Sequence, residues 1–168
     1  MTTVRCARPW GMADAQELLW TKLRELDSPT HLERPADFDE AEAAARFVAL
    51  VNLVDAAFGC ECSTDAGPAL IQDASFYGDL RVPAAATDTG HELWIRVSNF
   101  GPMATFGSGP GDAADTADIA RSDCDRIENA LACAGYLLVP KAALRDAYDG
   151  RANSPFLYTW WSRYFDYL

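Results

Sequence analysis

His91-Glu-Leu-Trp-Ile-Arg-Val-Ser-Asn-Phe-Gly-Pro-Met-Ala-Thr-Phe106 is the stretch on which the fold turns. Leu93, Ile95 and Val97 alternate with Trp94, Arg96 and Ser98, the period-2 pattern of a strand with one face in a core. Asn99-Phe-Gly-Pro102 carries turn chemistry, so Met103 to Phe106 reads as the returning arm of an antiparallel hairpin. Working outward, Leu70 to Val82 reads as a further strand with an irregularity near Gly78. Tyr136 to Val139, stopped by Pro140, reads as another.

Helical patterns flank these strands. Leu18, Leu19, Leu23 and Leu26 place one apolar stripe on a helix over residues 12–26, ended by Asp27-Ser28-Pro29. A second helix is expected over residues 37–58, with Asp37 as its cap and Glu40 reaching back as in a capping box. Phe47, Leu50, Val51, Val54 and Phe58 form its stripe, and Gly59 suits the position after its end. Ala120, Cys124, Ile127, Leu131 and Ala134 mark a third helix closed by Gly135, and Thr159 to Leu168 a short fourth. This order predicts an α+β fold, a small antiparallel sheet covered by helices on one side, with residues 1–168 as a single domain.

The 168 residues carry 14 basic and 25 acidic side chains, a formal charge of −11, and are 49% hydrophobic. That is too rich in core-forming residues for a disordered chain. Clustered Lys and Arg are what nucleic acid and anionic membranes require, so neither is an expected partner. The most apolar run, Phe47 to Val54, falls well short of the ~18 residues of a membrane span. Met1 to Trp10 has no apolar segment behind its positive charge, so a cytoplasmic protein with reduced thiols is expected.

Catalytic signatures are missing. Gly107 to Asp112 lacks the Lys and Ser/Thr of a phosphate-binding loop. Cys60-Glu61-Cys62 does not have the spacing of redox or zinc pairs, so neither a metal nor a cofactor is expected. There is no nucleophile elbow, and neither His31 nor His91 pairs with a cysteine by spacing; no catalytic residue is assigned and the chain is read as a non-enzyme.

Charge placement is more informative. Residues 33–42 hold five acids and one base, and residues 112–128 six acids and two bases. Acids stabilise helix N-termini through the dipole, but the excess also points to a basic partner whose approach a negative field would accelerate. The expected contact residues are Asp37, Asp39, Glu40 and Glu42, with Asp112, Asp115 and Asp118 second. Trp161, Tyr164 and Phe165 share one helical face, which leaves Trp160 and Tyr167 as expected exposed anchors. The alternative is a small-molecule-binding domain or small enzyme. Its pocket would be lined by Trp94, Arg96, Ser98 and His91, with Arg96 as anion ligand and His91 as acid–base group.

In general character the whole chain resembles the small acidic immunity proteins that bacteria encode beside polymorphic or contact-delivered toxins. Its most distinctive segments are Ile95-Arg-Val-Ser-Asn-Phe-Gly101, Tyr136-Leu-Leu-Val-Pro140 and Thr159-Trp-Trp-Ser-Arg-Tyr-Phe-Asp-Tyr-Leu168. The resemblance implies binding to one cognate toxin in the cytosol and occlusion of its active site, with the acidic surface facing a basic cleft.

Overall fold

In a computed structural model, which describes residues 12–66, 74–109 and 118–168, the Leu93 hairpin lies at the centre of a five-stranded sheet. The chain runs α1 (Met12–Leu26), α2 (Glu40–Phe58), β1 (Ser63–Ala66), β2 (Phe76–Val82), β3 (Leu93–Ser98), β4 (Met103–Ser108), α3 (Arg121–Cys133), β5 (Leu137–Leu138), α4 (Lys141–Leu144) and α5 (Trp160–Tyr164). The strands keep their sequence order across the sheet. The first four pair antiparallel, whereas β5 lies parallel to β4, with Met103 opposite Leu137. The parallel pairing follows from connectivity, because the chain passes through α3 before it returns to the sheet.

The α+β class is as expected. Leu93, Ile95 and Val97 of β3, with Leu80 and Val82 of β2 and Phe106 of β4, pack under Phe47, Leu50, Val54 and Phe58 of α2 and Ile127 and Leu131 of α3. The irregularity in β2 is a register shift between Phe76 and Gly78, which leaves Tyr77 on this same face against Phe47. The opposite face differs from expectation. It carries a second core of Trp94, Phe100 and Met103 with Leu19 and Leu23 of α1, Leu144 of α4, and Trp160, Trp161, Tyr164 and Phe165 at the C-terminus. The sheet is therefore covered on both faces, because Trp94 brings a large apolar area to the side that the alternation assigned to solvent. Leu18 of the α1 stripe is the outlier, half exposed on the outer side of its helix.

Two further details correct the sequence reading. The cap of α2 is Asp39, which accepts from Glu42 N at 3.0 Å. Asp37 instead sits in a turn closed by Phe38 N donating to Pro35 O. Strand β1, exposed along its length, and the single turn α4 carry no periodic pattern and were not anticipated.

The C-terminal segment is tied down by charge as well as by area. Arg163, fully buried, donates Nε to Asp27 Oδ1 at 2.7 Å and its other nitrogens to the carbonyls of Ser28, His31 and Leu32. Asp27 also accepts from the Tyr148 hydroxyl. This network joins the end of α1, the following loop, the 148–151 loop and α5.

Candidate functional site

The acids at the start of α2 converge. Asp37, Asp39 and Glu42 stand around a cavity of about 220 Å³ between the first turns of α2, the 99–102 turn and the end of α3. Its walls include Tyr77 from the β2 irregularity, Tyr136 from the approach to β5, Arg46 one turn along α2, and Asn99 from the hairpin turn. Glu40 lies outside the lining but close enough that, after burial, it helps to push the Tyr77 hydroxyl above its ordinary pKa. Three of the four acids of the first choice thus line one mouth, and Glu40 stands near it. Tyr77, Tyr136, Asn99 and Arg46 were missed, since none stands in a motif. The one usable signal was Asn99 in a turn beside a strand whose neighbours come from distant sequence.

The chemistry of this cavity is anionic and aromatic. Asp37 and Asp39 carry charge that no basic side chain among the described residues pairs, and Glu42 is bridged by Arg46. Three carboxylates against one guanidinium leave the lining at a net −2. Arg46 lies 6.0 Å from the centre of the Tyr136 ring, so this wall already holds a cation against its aromatic face. Burial pushes the Tyr136 hydroxyl well above its ordinary pKa, with Arg46 opposing and Tyr77 adding to the shift; the phenol stays protonated and able to donate. Asn99, 2% exposed, donates Nδ2 to Glu33 O and Ala74 O at 3.1 Å each, while its Oδ1 accepts from no donor. A buried carbonyl oxygen without a partner costs on the order of 1–3 kcal/mol.

The second acidic run behaves differently. Asp112 and Asp115 lie outside the described residues. Asp118 is exposed just before α3, but Asp123 is fully buried, where it accepts from Asp88 N, Thr89 N and Thr89 Oγ1 and pairs with Arg126. Part of this run therefore ties the β2–β3 turn to α3. Arg46 against Tyr136 and Arg126 against Phe58 show that α2 and α3 run antiparallel. Asp118 thus lies at the opposite end of this layer from Asp37 to Glu42.

The aromatic anchors need correction. Trp160 is 1% exposed, stacked on Tyr164 and met edge-on by Trp20, so it reaches no partner. The Thr159–Ser162 capping box starts α5 at Trp160 and turns that indole inward. Tyr167 is 58% exposed, with its ring edge-on to Phe76 at 5.0 Å. The exposed aromatics the sequence did not single out are Phe156 and Tyr158.

The alternative pocket does not assemble. Arg96 donates to both oxygens of Asp79 at 2.7 and 2.9 Å and to Phe165 O at 2.8 Å, with its plane over Phe76. The Trp94 ring lies beneath Lys141 and meets Trp161 edge-on, Ser98 is buried and accepts from Phe100 N, and His91 is exposed just before β3 begins. Cys60 and Cys62 have their sulfurs 3.9 Å apart. Burial and then the Asp55 carboxylate push the Cys62 thiol far up, which keeps it protonated and poorly reactive. Among the described residues no group of three His, Cys, Asp or Glu is placed to hold a metal ion, and no helix is long and apolar enough to cross a membrane.

The fold and this acidic mouth define a sheet domain with a covered core and one anionic, aromatic hollow at its surface. No family model, no curated protein and no solved structure matches the chain.

Proposed function

We propose that this protein is an immunity-type inhibitor that binds a cognate protein toxin through the acidic mouth at the start of α2 and blocks the toxin's basic cleft. The reading rests on one observation: Asp37, Asp39 and Glu42 converge on a hollow lined by Tyr77 and Tyr136, and among the described residues no basic side chain pairs with Asp37 or Asp39. Most other prominent acids are held by partners within the fold, as with Asp27, Asp79 and Asp123. A charged rim around aromatic surface is the arrangement that speeds encounter and then anchors a complex.

The test is growth rescue. The protein is co-expressed with the toxic product of the reading frame adjoining its gene, either unaltered or with Asp37→Asn, Asp39→Asn and Glu42→Gln combined. Asparagine retains the cap of α2, so the fold survives the change. Rescue by the unaltered chain and its loss in the triple variant are expected. Equal rescue by both would remove the acidic mouth from the mechanism, and rescue by neither would remove the function.

A further inference from the structure

The C-terminal end of α2, the end away from the acidic mouth, leads into a pair of thiols. The C-x-C spacing of Cys60 and Cys62 is not that of the familiar redox pairs, yet the fold sets their sulfurs 3.9 Å apart. Backbone contacts hold this approach. The Asp55 carbonyl accepts from Gly59 N at 2.8 Å and Cys60 N at 3.3 Å, and the Asp55 carboxylate accepts from Cys62 N at 2.9 Å. One residue of α2 thus anchors both ends of the Cys60–Cys62 segment. The two thiols differ in access. Cys60 is partly exposed, whereas Cys62 is 8% exposed and belongs to the core beneath α2. An oxidant arriving from solvent meets Cys60 first, with Cys62 already beside it.

We propose that Cys60 and Cys62 form a dithiol that a hydroperoxide converts reversibly into a disulfide. Cys60, as its thiolate, attacks the peroxide and the O–O bond breaks. The sulfur is oxidised to a sulfenic acid, while the peroxide is reduced to water or an alcohol that takes up the proton the thiol released. The Cys62 sulfur then displaces the sulfenic hydroxyl. The S–S bond forms as the S–O bond breaks, and the Cys62 proton leaves with the hydroxyl as water. Burial and Asp55 keep Cys62 protonated, so it is a poor target for the oxidant itself. A neighbour held in contact needs far less nucleophilicity to close the bond. A ring of so few residues removes little entropy from the unfolded chain, so the bond adds little stability and is readily reduced. The proposal stands on the geometry of this loop and is independent of the immunity reading.

The experiment uses the full chain, reduced, freed of reductant and treated with hydrogen peroxide at a level that oxidises a free-cysteine standard. The remaining thiols are alkylated in denaturant. Cleavage after Arg46 and Arg81 then gives a peptide of residues 47–81 in which Cys60 and Cys62 are the only cysteines. That peptide is expected to take up no alkyl group and to lose the mass of two hydrogens, to the same extent when the protein is diluted. Incubation with millimolar glutathione should restore both thiols. Cys62→Ala should stop the reaction at a Cys60 sulfenic acid that dimedone traps, and Cys60→Ser should leave Cys62 unoxidised. Cys124→Ser, outside the loop, should change nothing. A peptide that keeps two alkylated thiols, one that gains oxygen without losing hydrogen, a bond to a second copy of the chain, or a bond that glutathione does not reopen would each overturn the proposal.

Discussion

At the scale of single residues, the buried Asp27–Arg163 pair is the point where one change does most harm. Arg163 is 0% and Asp27 1% exposed, and the guanidinium satisfies three loop carbonyls besides the carboxylate. Arg163→Met would leave Asp27 charged in the interior and those carbonyls without donors. Loss of about 3–5 kcal/mol in urea unfolding is expected, since breaking a buried pair exposes the full desolvation penalty of the remaining ion. A loss below about 1 kcal/mol would show that water reaches this site. Tyr148 adds a pH signature to the same network. Burial, and then its bond to Asp27, push its phenol up to about 12 from an ordinary 10.0. The folded state thus favours the neutral phenol; its contribution is complete below pH 10 and disappears as pH climbs toward 12. Melting temperature should fall over that window, and Tyr148→Phe, although less stable at neutral pH, should fall less steeply there. At this scale the sequence was least legible. Arg96 reads as a half-exposed anion ligand until Asp79 is seen across the strand pair. That partner is set by register, which a single strand's alternation does not reveal.

At the scale of elements, most of what could be read was read from periodicity. The α2 stripe from Phe47 to Phe58 is buried as its spacing demands, and Gly59 closes the helix at φ 64°, the left-handed geometry glycine takes without cost. What escaped was short or unpatterned. Strand β1 has no buried face to announce it, and the second core depends on α1 and α5 meeting across the whole chain length. Two changes test how tightly these elements meet. A methyl group on Gly107 would run into the Trp94 indole that lies over it, so Gly107→Ala should cost about 1–3 kcal/mol and perturb the near-ultraviolet tryptophan signal. Asp123 joins the β2–β3 turn to the start of α3. Burial pushes its carboxyl up, but the Thr89 and Asp88 donors and Arg126 outweigh this and hold it below its ordinary 3.8. The stabilisation is present at neutral pH and is lost as pH falls through the depressed value. Unfolding curves between pH 2 and 6 should show an acid limb that Asp123→Asn flattens; an unchanged limb would assign acid lability elsewhere.

At the scale of the molecule, the question is whether the charge of −11 acts as a diffuse solubility device or as a directed field. Both acidic runs were visible in the sequence, but the separation of Asp118 from the first run was not, because it depends on α2 and α3 lying antiparallel. That geometry makes the two ideas distinguishable. The screening length is about 30 Å at 0.01 M salt and about 8 Å at 0.15 M, so at physiological salt a charge steers an approaching partner only near its own patch. If the mouth at the start of α2 does the steering, the association rate with the cognate partner should fall roughly tenfold or more between these salt concentrations, with dissociation much less affected. Asp37→Asn should slow association at physiological salt, whereas Asp118→Asn, at the far end of the helical layer, should act only at low salt. Stopped-flow mixing of the two proteins separates the cases. Equal slowing by both substitutions at 0.15 M would mean that net charge alone drives encounter, and that the convergence of acids around Tyr77 and Tyr136 has no part in it.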